Sequence, residues 1–329
     1  MKSLRKLTIL GIAVFASVFL ATCTLQETER PPDEVTVQLK WTHQSQFAGF
    51  YVADMNGYYT EEGIAVTFIE GGPTIDTHTA VLNGTTQFGV TGADRIIVGR
   101  AQGNPLRAVA VIYRRSPSVY VAAADSGISR PEDFVGQNIL AAINAHPVLH
   151  AMMSRVGVER DQYTVVTVPY DPDLFTSGET SVWAVYLTGS IRILQNAGYE
   201  LNIIYPQDYG IHFYADTIFA SDDFLGENPE LVARFLRATL RGWQWAIENP
   251  EEAGALPVTY NPELDLEEQI AQMEASVPLI HTGQDHIGWM RAEVWEGMHD
   301  TLLEQGMIDG PIALDEIYTL QFLEEIYEN

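Results

Sequence analysis

The sequence predicts an α/β protein of two lobes joined by two crossovers, a clamshell, and three observations support this fold class. Short β-rich segments alternate with helical segments along residues 35–118, a pattern typical of a largely parallel sheet. The same alternation is repeated along residues 119–207, which indicates a second lobe. From residue 208 to residue 329 a mostly helical segment returns to the first lobe. Two lobes with two connections can close on a ligand about a hinge.

The individual strands are predicted from short apolar or β-branched runs, and the helices between them from apolar residues at helical spacing. In the first lobe we expect strands at Val35–Leu39, Ile64–Ile69, Gln87–Thr91 and Leu106–Tyr113, and helices at Phe47–Tyr58, Thr77–Asn83 and Arg95–Gln102. In the second lobe we expect strands at Val119–Ala124, Asn138–Ala142, Tyr163–Val168, Ser181–Tyr186 and Leu201–Tyr205, and helices at Val148–Val156 and Ile191–Ala197.

The C-terminal segment is predicted to be helical for the same reason. Asn228 is expected to cap a helix that begins at Pro229 and carries one apolar stripe from Leu231 to Ile247. Further amphipathic helices are predicted at Glu267–Ala275, Arg291–Gln305 and Leu314–Tyr327.

The composition excludes several classes of protein. With 44 acidic against 18 basic residues and a formal charge of −26, the chain lacks the cations that nucleic-acid phosphates require. Its 46% hydrophobic content and six tryptophans exclude a disordered acidic chain. A single cysteine allows no internal disulfide and no zinc cluster, so no metal and no cofactor is expected.

The N-terminus predicts secretion and a lipid anchor. Positive residues at positions 2, 5 and 6 precede an apolar run from Leu7 to Ala21, as in a signal peptide of residues 1–22. Leu20-Ala21-Thr22-Cys23 resembles a bacterial lipobox, in which the cysteine becomes the lipidated first residue, although threonine is unusual before it. Residues 23–34 are polar and contain two prolines, typical of a flexible tether. An ordinary secretory signal is the alternative.

The loop after the first predicted strand is the densest in candidate binding residues. It follows the carboxyl end of a strand, where open α/β sheets bind ligands. Trp41 and Phe47 can stack on a flat ring, Gln44 and Gln46 can bond its nitrogen and oxygen atoms, and Tyr51 lies on the following helix. The loop therefore predicts a site for a flat heterocycle, with core packing as the alternative for the aromatic residues.

From this loop onward the chain resembles the substrate-binding proteins for thiamine-pyrimidine precursors, which are relatives of the fungal pyrimidine synthases. The resemblance spans residues 35–280. The motifs that carry it are Trp41–Ala53, Gly57–Ile64, Gly71–Pro73, Phe88–Asp94, Arg115–Pro117, Asp125–Ile128, Asp208–Gly210, Phe213–Thr217 and Asn228–Thr239. It implies a type II periplasmic-binding-protein fold and, as partners, the permease and ATPase of an ABC importer. Together with the signal sequence and Cys23, it predicts a protein outside the cytoplasm that is bound to the membrane through the lipid anchor only.

Two departures from these relatives refine the expected function. The fungal synthases carry a histidine at the position of Phe47 and a cysteine-rich motif further on, so no enzyme activity and no catalytic residue is expected here. Pyrimidine-binding members carry Thr-Asn-Glu-Pro where this chain has Thr188-Gly189-Ser190-Ile191, so the carboxylate that would face an aminopyrimidine is absent. Because some members bind riboflavin, riboflavin is favoured, and a pyrimidine precursor or another aromatic heterocycle is the alternative. A sensory lipoprotein of the same fold is a further alternative.

The remaining candidates lie at predicted strand ends and crossovers. Capping, hinge or core roles are the alternative for each of them. His146 and His150 share a helix face, but no carboxylate completes a metal site. The further candidate ligand-binding residues are Gly92, Asp94, Tyr113, Arg115, Tyr170, Trp183, Tyr186, Thr188, Tyr214 and Asp216.

Overall fold

The computed structural model describes residues 31–168 and 171–328, which contain ten strands in two sheets. The predicted signal peptide and Cys23 lie outside the described residues. The strands are β1 (Asp33–Gln38), β2 (Ile64–Ile69), β3 (Phe88–Gly92), β4 (Leu106–Val111), β5 (Ser118–Ala123), β6 (Asn138–Leu140), β7 (Thr164–Val166), β8 (Val182–Tyr186), β9 (Leu201–Ile204) and β10 (Asp216–Ser221).

Both sheets have five strands and the same pattern of directions. The first has the order β2-β1-β3-β10-β4, with β1 parallel to β2 and β3, and β10 antiparallel to β3 and β4. The second has the order β7-β6-β8-β5-β9, with β6 parallel to β7 and β8, and β5 antiparallel to β8 and β9. Four of the five strands in each sheet therefore run in one direction, as the prediction of largely parallel sheets requires, and only the strands adjoining the crossovers, β5 and β10, run against their neighbours.

The helices cover both sheets and form most of the C-terminal region. They are α1 (Ala48–Met55), α2 (Tyr58–Glu61), α3 (Thr77–Leu82), α4 (Ala93–Ala101), α5 (His146–Arg155), α6 (Asp173–Thr176), α7 (Ser190–Asn196), α8 (Asp222–Glu227), α9 (Pro229–Glu248), α10 (Pro250–Ala255), α11 (Leu266–Ile280), α12 (Ala292–Glu304), α13 (Leu314–Ile317) and α14 (Gln321–Glu328). None of those that the structure describes has the length and apolar character needed to cross a membrane.

Two segments cross between the sheets, and they are hydrogen-bonded to each other. The first joins β4 to β5 and the second joins β9 to β10. The Ala215 amide donates to the Tyr113 carbonyl over 3.0 Å, and the Ile112 amide donates to the Asp216 carbonyl over 2.8 Å. The two-sheet α/β architecture with two crossovers is thus confirmed.

The core of the first sheet is closed by α1 and α9, which approach each other closely. Gly49 and Gly242 lie at the contact, and a Cβ at Gly242 would overlap the Gly49 carbonyl oxygen. Trp243 on α9 is fully buried above Gly49. Glycine is required here because the two backbones leave no room for a side chain.

Two helix predictions differ from the structure. The Asn228 side chain donates its amide to the Phe224 carbonyl of the preceding helix and makes no cap bond to α9. The predicted C-terminal helix is broken between α13 and α14, where Tyr318 bridges to Ala108 and the Thr319 amide donates to the Ala108 carbonyl over 3.0 Å. The tail breaks there because its backbone extends the edge of the first sheet beside β4.

Candidate functional site

A cavity of about 950 Å³, its open mouth included, lies between the two sheets. Its wall on the first-sheet side is made by Lys40, Trp41, Gln44, Gln46 and Pro73, together with Gln272 from α11. Its wall on the second-sheet side includes Asn144, Asp171, Trp183, Tyr186, Gly189 and Ser190.

The loop and strand that supply the polar and aromatic groups come from opposite sheets. The loop 40–47 follows β1, whose carboxyl end lies beside the ends of its parallel neighbours β2 and β3. Trp183 and Tyr186 belong to β8, a central strand of the second sheet. A flat molecule in the cavity would therefore be held by aromatic and amide side chains of both lobes.

The two walls touch each other at the sides of the cavity. The Ile143 amide donates to the Pro73 carbonyl over 2.9 Å. Arg192 on α7 pairs with Glu268 on α11, with 3.2 Å between Nε and Oε2. These bonds join the second-sheet body to the first-sheet body, so the cleft is closed in this structure.

A buried network of charged and polar groups links the sheets at the cavity. Lys40 Nζ donates to Asp216 Oδ1 over 2.9 Å and to the Tyr186 hydroxyl over 2.5 Å. The Tyr186 hydroxyl donates to Asp216 Oδ1 over 2.8 Å, and Gln46 Nε2 donates to Asp216 Oδ2 over 2.6 Å. The Lys40 and Asp216 side chains are 7% and 2% exposed. Tyr186 is thus the member from the second sheet that contacts an ion pair of the first.

Electrostatics keep this network free of net charge. Burial, and then the Asp216 charge, hold the pKa of Tyr186 well above its usual range, so its hydroxyl remains a neutral donor. The Lys40 ammonium neutralises Asp216 within the network. This network therefore presents neutral hydrogen-bonding groups to a ligand.

Three glutamine amides continue from Asp216 along the cavity wall in a fixed direction. Gln46 donates to Asp216, and Gln44 Nε2 donates to Gln46 Oε1 over 2.7 Å. Gln272 Nε2 in turn donates to Gln44 Oε1 over 3.2 Å. An ionised carboxylate only accepts hydrogen bonds, so it sets the orientation of every amide in this row.

Asp94 is buried behind the cavity and does not line it. Burial raises its pKa to about 6, against the opposing charges of Arg95 and Lys40. Its Oδ2 atom has no hydrogen-bond partner among the described residues. The carboxyl group therefore retains its proton in mildly acidic solution.

The structure brings five of the predicted site residues to the cavity wall. These are Trp41, Gln44, Gln46, Trp183 and Tyr186. A sixth, Asp216, lies immediately behind the wall and bonds two of them. These six side chains form the candidate site.

Two predicted residues of the first helix lie in the core instead. Phe47 is fully buried. Tyr51 is also fully buried, with its ring stacked on Tyr260 at 4.2 Å between centroids and its hydroxyl 2.9 Å from His43 Nδ1. Both side chains pack behind the loop rather than at the cavity because the chain turns into α1 at this point.

The other predicted residues support the walls or the crossovers and do not line the cavity. The Tyr113 hydroxyl donates to Ser276 Oγ over 2.9 Å, and the Arg115 amide donates to the Leu279 carbonyl over 3.1 Å. The Tyr214 hydroxyl accepts from the Arg291 amide over 3.3 Å. Thr188 is buried, and Gly92 is the last residue of β3. Tyr170 lies outside the described residues.

Lys40, Asn144, Asp171 and Gln272 are among the polar cavity residues that sequence reasoning missed. Lys40 belongs to the loop already singled out, but a lysine in an acidic chain predicts a surface position. Gln272 lies on the buried face of α11 with Gln269 and Ser276. Polar residues at positions 269, 272 and 276 of an otherwise apolar helix face are the signal that points to this wall.

The two histidines of α5 bind hydroxyl groups of the second lobe. His150 Nδ1 lies 2.5 Å from the Tyr163 hydroxyl, and His146 Nε2 lies 2.9 Å from Thr167 Oγ1. Burial lowers the pKa of His150 to about 3, so its ring is neutral. Within the described ranges, no three histidine, cysteine, aspartate or glutamate residues are grouped as metal ligands.

The two-sheet fold is shared with a solved periplasmic binding protein. The structure superposes on the periplasmic aliphatic sulphonate binding protein SsuA from Escherichia coli with a TM-score of 0.64 and 16% identity, covering 87% of this chain and 91% of the other. This likeness confirms the periplasmic-binding-protein fold.

Three curated relatives match the sequence over most of its length. The riboflavin-binding protein RibY of Chloroflexus aurantiacus is 26% identical, covering 88% of this chain and 86% of the relative. The formylaminopyrimidine-binding protein of Halalkalibacterium halodurans is 25% identical, covering 97% and 99%. A 4-amino-5-hydroxymethyl-2-methylpyrimidine phosphate synthase of Legionella pneumophila is 26% identical, covering 70% and 74%. Residues 44–253 match the family described as NMT1/THI5 like. The chain therefore belongs to the NMT1/THI5-like family.

Proposed function

We propose that this protein is the substrate-binding protein of an ABC importer and that it captures riboflavin outside the membrane. The fold, the relatives that bind riboflavin or formylaminopyrimidine, and a cavity between two bodies joined by two crossovers support the role in binding. In this proposal one lobe comprises residues 35–118 and 208–329, and the other residues 119–207. Its partners are a permease and an ATPase.

The cavity wall around Gly189 and Ser190 is the observation that carries the choice of riboflavin. Both residues line the cavity, and neither offers a carboxylate or a bulky side chain. The nearby Asp216 is already paired with Lys40. A large uncharged ring with carbonyl and imide groups suits such a wall, because Trp41 and Trp183 can stack on it and the glutamine amides can bond its edge.

Formylaminopyrimidine is the second candidate ligand, and Asp171 is the observation in its favour. Asp171 lines the cavity and carries a carboxylate that can pair with an amino-substituted ring. The pyrimidine-binding relative also matches nearly the whole chain. Competition between the two ligands therefore belongs in the first binding experiment.

A pyrimidine synthase on this scaffold receives less support. Phe47 is fully buried in the core and offers no acid–base chemistry. The sequence has no cysteine after Cys23. Binding and release, without turnover of the ligand, is the activity we expect.

The mechanism we infer is closure of the cleft on the ligand. A ligand that touches both walls binds the closed state better than the open state and so shifts the population towards it. Tyr186 joins the second lobe to the first through its bonds to Lys40 and Asp216. The permease would then recognise the closed form.

Lipidation at Cys23 would keep the binding protein beside its permease. The polar residues 23–34 would act as the tether, and removal of residues 1–22 would leave 15 basic against 44 acidic residues. Mass spectrometry of the mature N-terminus tests this placement. A diacylglyceryl group on Cys23 is expected, and an unmodified N-terminus elsewhere would contradict it.

Titration of the purified mature protein with riboflavin tests the proposed ligand. Stacking on tryptophan should quench flavin fluorescence, and calorimetry should give one site per chain with micromolar or tighter affinity. Trp183→Ala should weaken binding, whereas Trp245→Phe, a change on α9 outside the cavity, should leave it unchanged. Absence of quenching and heat with riboflavin, together with binding of formylaminopyrimidine, would transfer the assignment to the second candidate.

A further inference from the structure

The row of amides in the cavity wall ends in a carbonyl oxygen that nothing in the described chain satisfies. Gln272 lines the cavity and is only 5% exposed, yet its Oε1 atom has no hydrogen-bond partner among the described residues. A buried carbonyl without a donor loses its hydrogen bonds to water without replacement, so such groups are usually paired. A donor supplied from outside the chain would remove this cost.

The hydrogen bonds of the neighbouring residues determine which side of the Gln272 amide carries the oxygen and which side carries the NH₂ group. Asp216 can only accept, so Gln46 must direct its NH₂ group towards it and its oxygen towards Gln44. Gln44 is thereby obliged to present its oxygen to the Gln272 NH₂ group. Reversing the Gln272 amide would set two oxygens against each other. The free position at the end of the row is consequently an acceptor.

Gly189 makes room for this arrangement from the opposite lobe. A Cβ atom at Gly189 would lie 2.7 Å from Gln272 Nε2, closer than real side chains approach. The Gln272 amide thus occupies the space that a side chain at position 189 would take. The Gln272 amide therefore lies at the boundary between the lobes, beside Gly189.

We propose that Gln272 is a specificity-determining residue whose Oε1 atom accepts a hydrogen bond from a ring N–H of the ligand. This inference rests on the proposed function, and for riboflavin the donor is the N3–H imide, the one N–H of its ring system. Gln44 is the neighbour of Gln272 in the row, and its amide has a second N–H that can donate to an imide carbonyl beside N3. The wall would therefore recognise a ring edge that presents an N–H beside a carbonyl.

A double-mutant-type thermodynamic cycle, in which Gln272 is changed in the protein and N3 is methylated in the ligand, tests this contact. Affinities of riboflavin and 3-methylriboflavin are measured by calorimetry for the natural protein and for Gln272→Met, which keeps the length of the side chain without the acceptor. The natural protein should bind the methylated ring about tenfold or more weakly, and Gln272→Met should bind riboflavin about three- to tenfold more weakly. In Gln272→Met the methylation penalty should fall to about twofold or less, because methyl then meets an apolar side chain.

Two control variants exclude an indirect effect. Gln195→Met makes the same chemical change on an exposed residue of α7 and should alter neither affinity. Gly189→Ala should retain the thermal midpoint, since the flexible Gln272 end can move aside, yet should reduce the discrimination against the methylated ring. If Gln272→Met does not fold, Gln272→Ala replaces it in the cycle.

The outcomes separate this inference from the proposed function. An equal methylation penalty in the natural protein and in the Gln272 variant would overturn the contact while leaving riboflavin as the ligand. Absence of any riboflavin binding to the natural protein would overturn both. Loss of discrimination only in the Gln272 and Gly189 variants supports the assignment.

Discussion

Replacing Asp216 with asparagine is expected to destabilise the protein by about 3–5 kcal/mol, the usual result of removing one partner of a buried ion pair. The substitution preserves shape but leaves the Lys40 ammonium, 7% exposed, without a counter-ion. It also sets an NH₂ group against the Gln46 amide, which now donates to Asp216 over 2.6 Å. Gln46 cannot reverse its amide without losing its bond from Gln44. The loss therefore includes both charge and hydrogen bonding.

Urea unfolding followed by tryptophan fluorescence measures this effect as a lower midpoint at an unchanged slope. Glu61→Gln is the matched control, because it breaks the exposed pair with Arg241 and should cost about 0.5 kcal/mol or less. The double variant Lys40→Met with Asp216→Asn should recover more than half of the loss, since no buried charge remains. A single variant within about 1 kcal/mol of the control, or a double variant no more stable than the single one, would refute the reasoning.

Three further predictions address the site, the buried acid and the helix contact. Trp41→Ala should weaken riboflavin binding by about 1–3 kcal/mol in calorimetry without lowering the thermal midpoint, and unchanged affinity would make Trp41 a packing residue. The raised pKa of Asp94, about 6, means that the native state holds a proton the unfolded state releases, so this group's contribution to stability falls as pH rises from about 4 to 6. Asp94→Asn should remove that fall in urea titrations across this range, and an identical pH profile in both proteins would contradict it. Gly242→Ala should lower the free energy of unfolding by about 1–3 kcal/mol because its Cβ meets the Gly49 backbone, whereas Gly297→Ala, at an exposed position of α12 with open space around it, should raise it by about 0.5–1 kcal/mol.

The sequence predicts most of the individual elements because their apolar periodicity is local. The strands β1, β2 and β8 and the long helix α9 lie within two residues of their predicted positions. Strand direction is different, because it depends on where the chain re-enters a sheet after a crossover. No residue pattern in β10 records that it runs against β3.

The site was predictable where a loop follows a strand, and less so where a helix face meets a second lobe. Trp41, Gln44 and Gln46 are adjacent in sequence, so one loop brings all three to the cavity. Phe47 is only one residue further on, but the turn into α1 directs it into the core. Gln272 is contributed by α11, more than two hundred residues away, so its proximity to Gln44 depends on tertiary packing.

The bonds made by Tyr186 also constrain how closure can depend on the ligand. In an open cleft the Tyr186 hydroxyl, Lys40 and Asp216 would each form hydrogen bonds to water. Forming the network on closure therefore contributes only the small free-energy difference between bonds to water and bonds within the protein. A population shift from 1:99 to 99:1 needs about 5.5 kcal/mol of differential binding, more than this network can supply. The remainder must come from contacts that a ligand makes with both walls at once. Stacking of a ring between Trp41 and Trp183 is a contact of that kind, because these two residues belong to opposite sides of the cavity. We therefore expect Tyr186→Phe to weaken riboflavin binding less than the loss of Trp183, and the reverse order would make the buried network, rather than the ring contacts, the main source of closure.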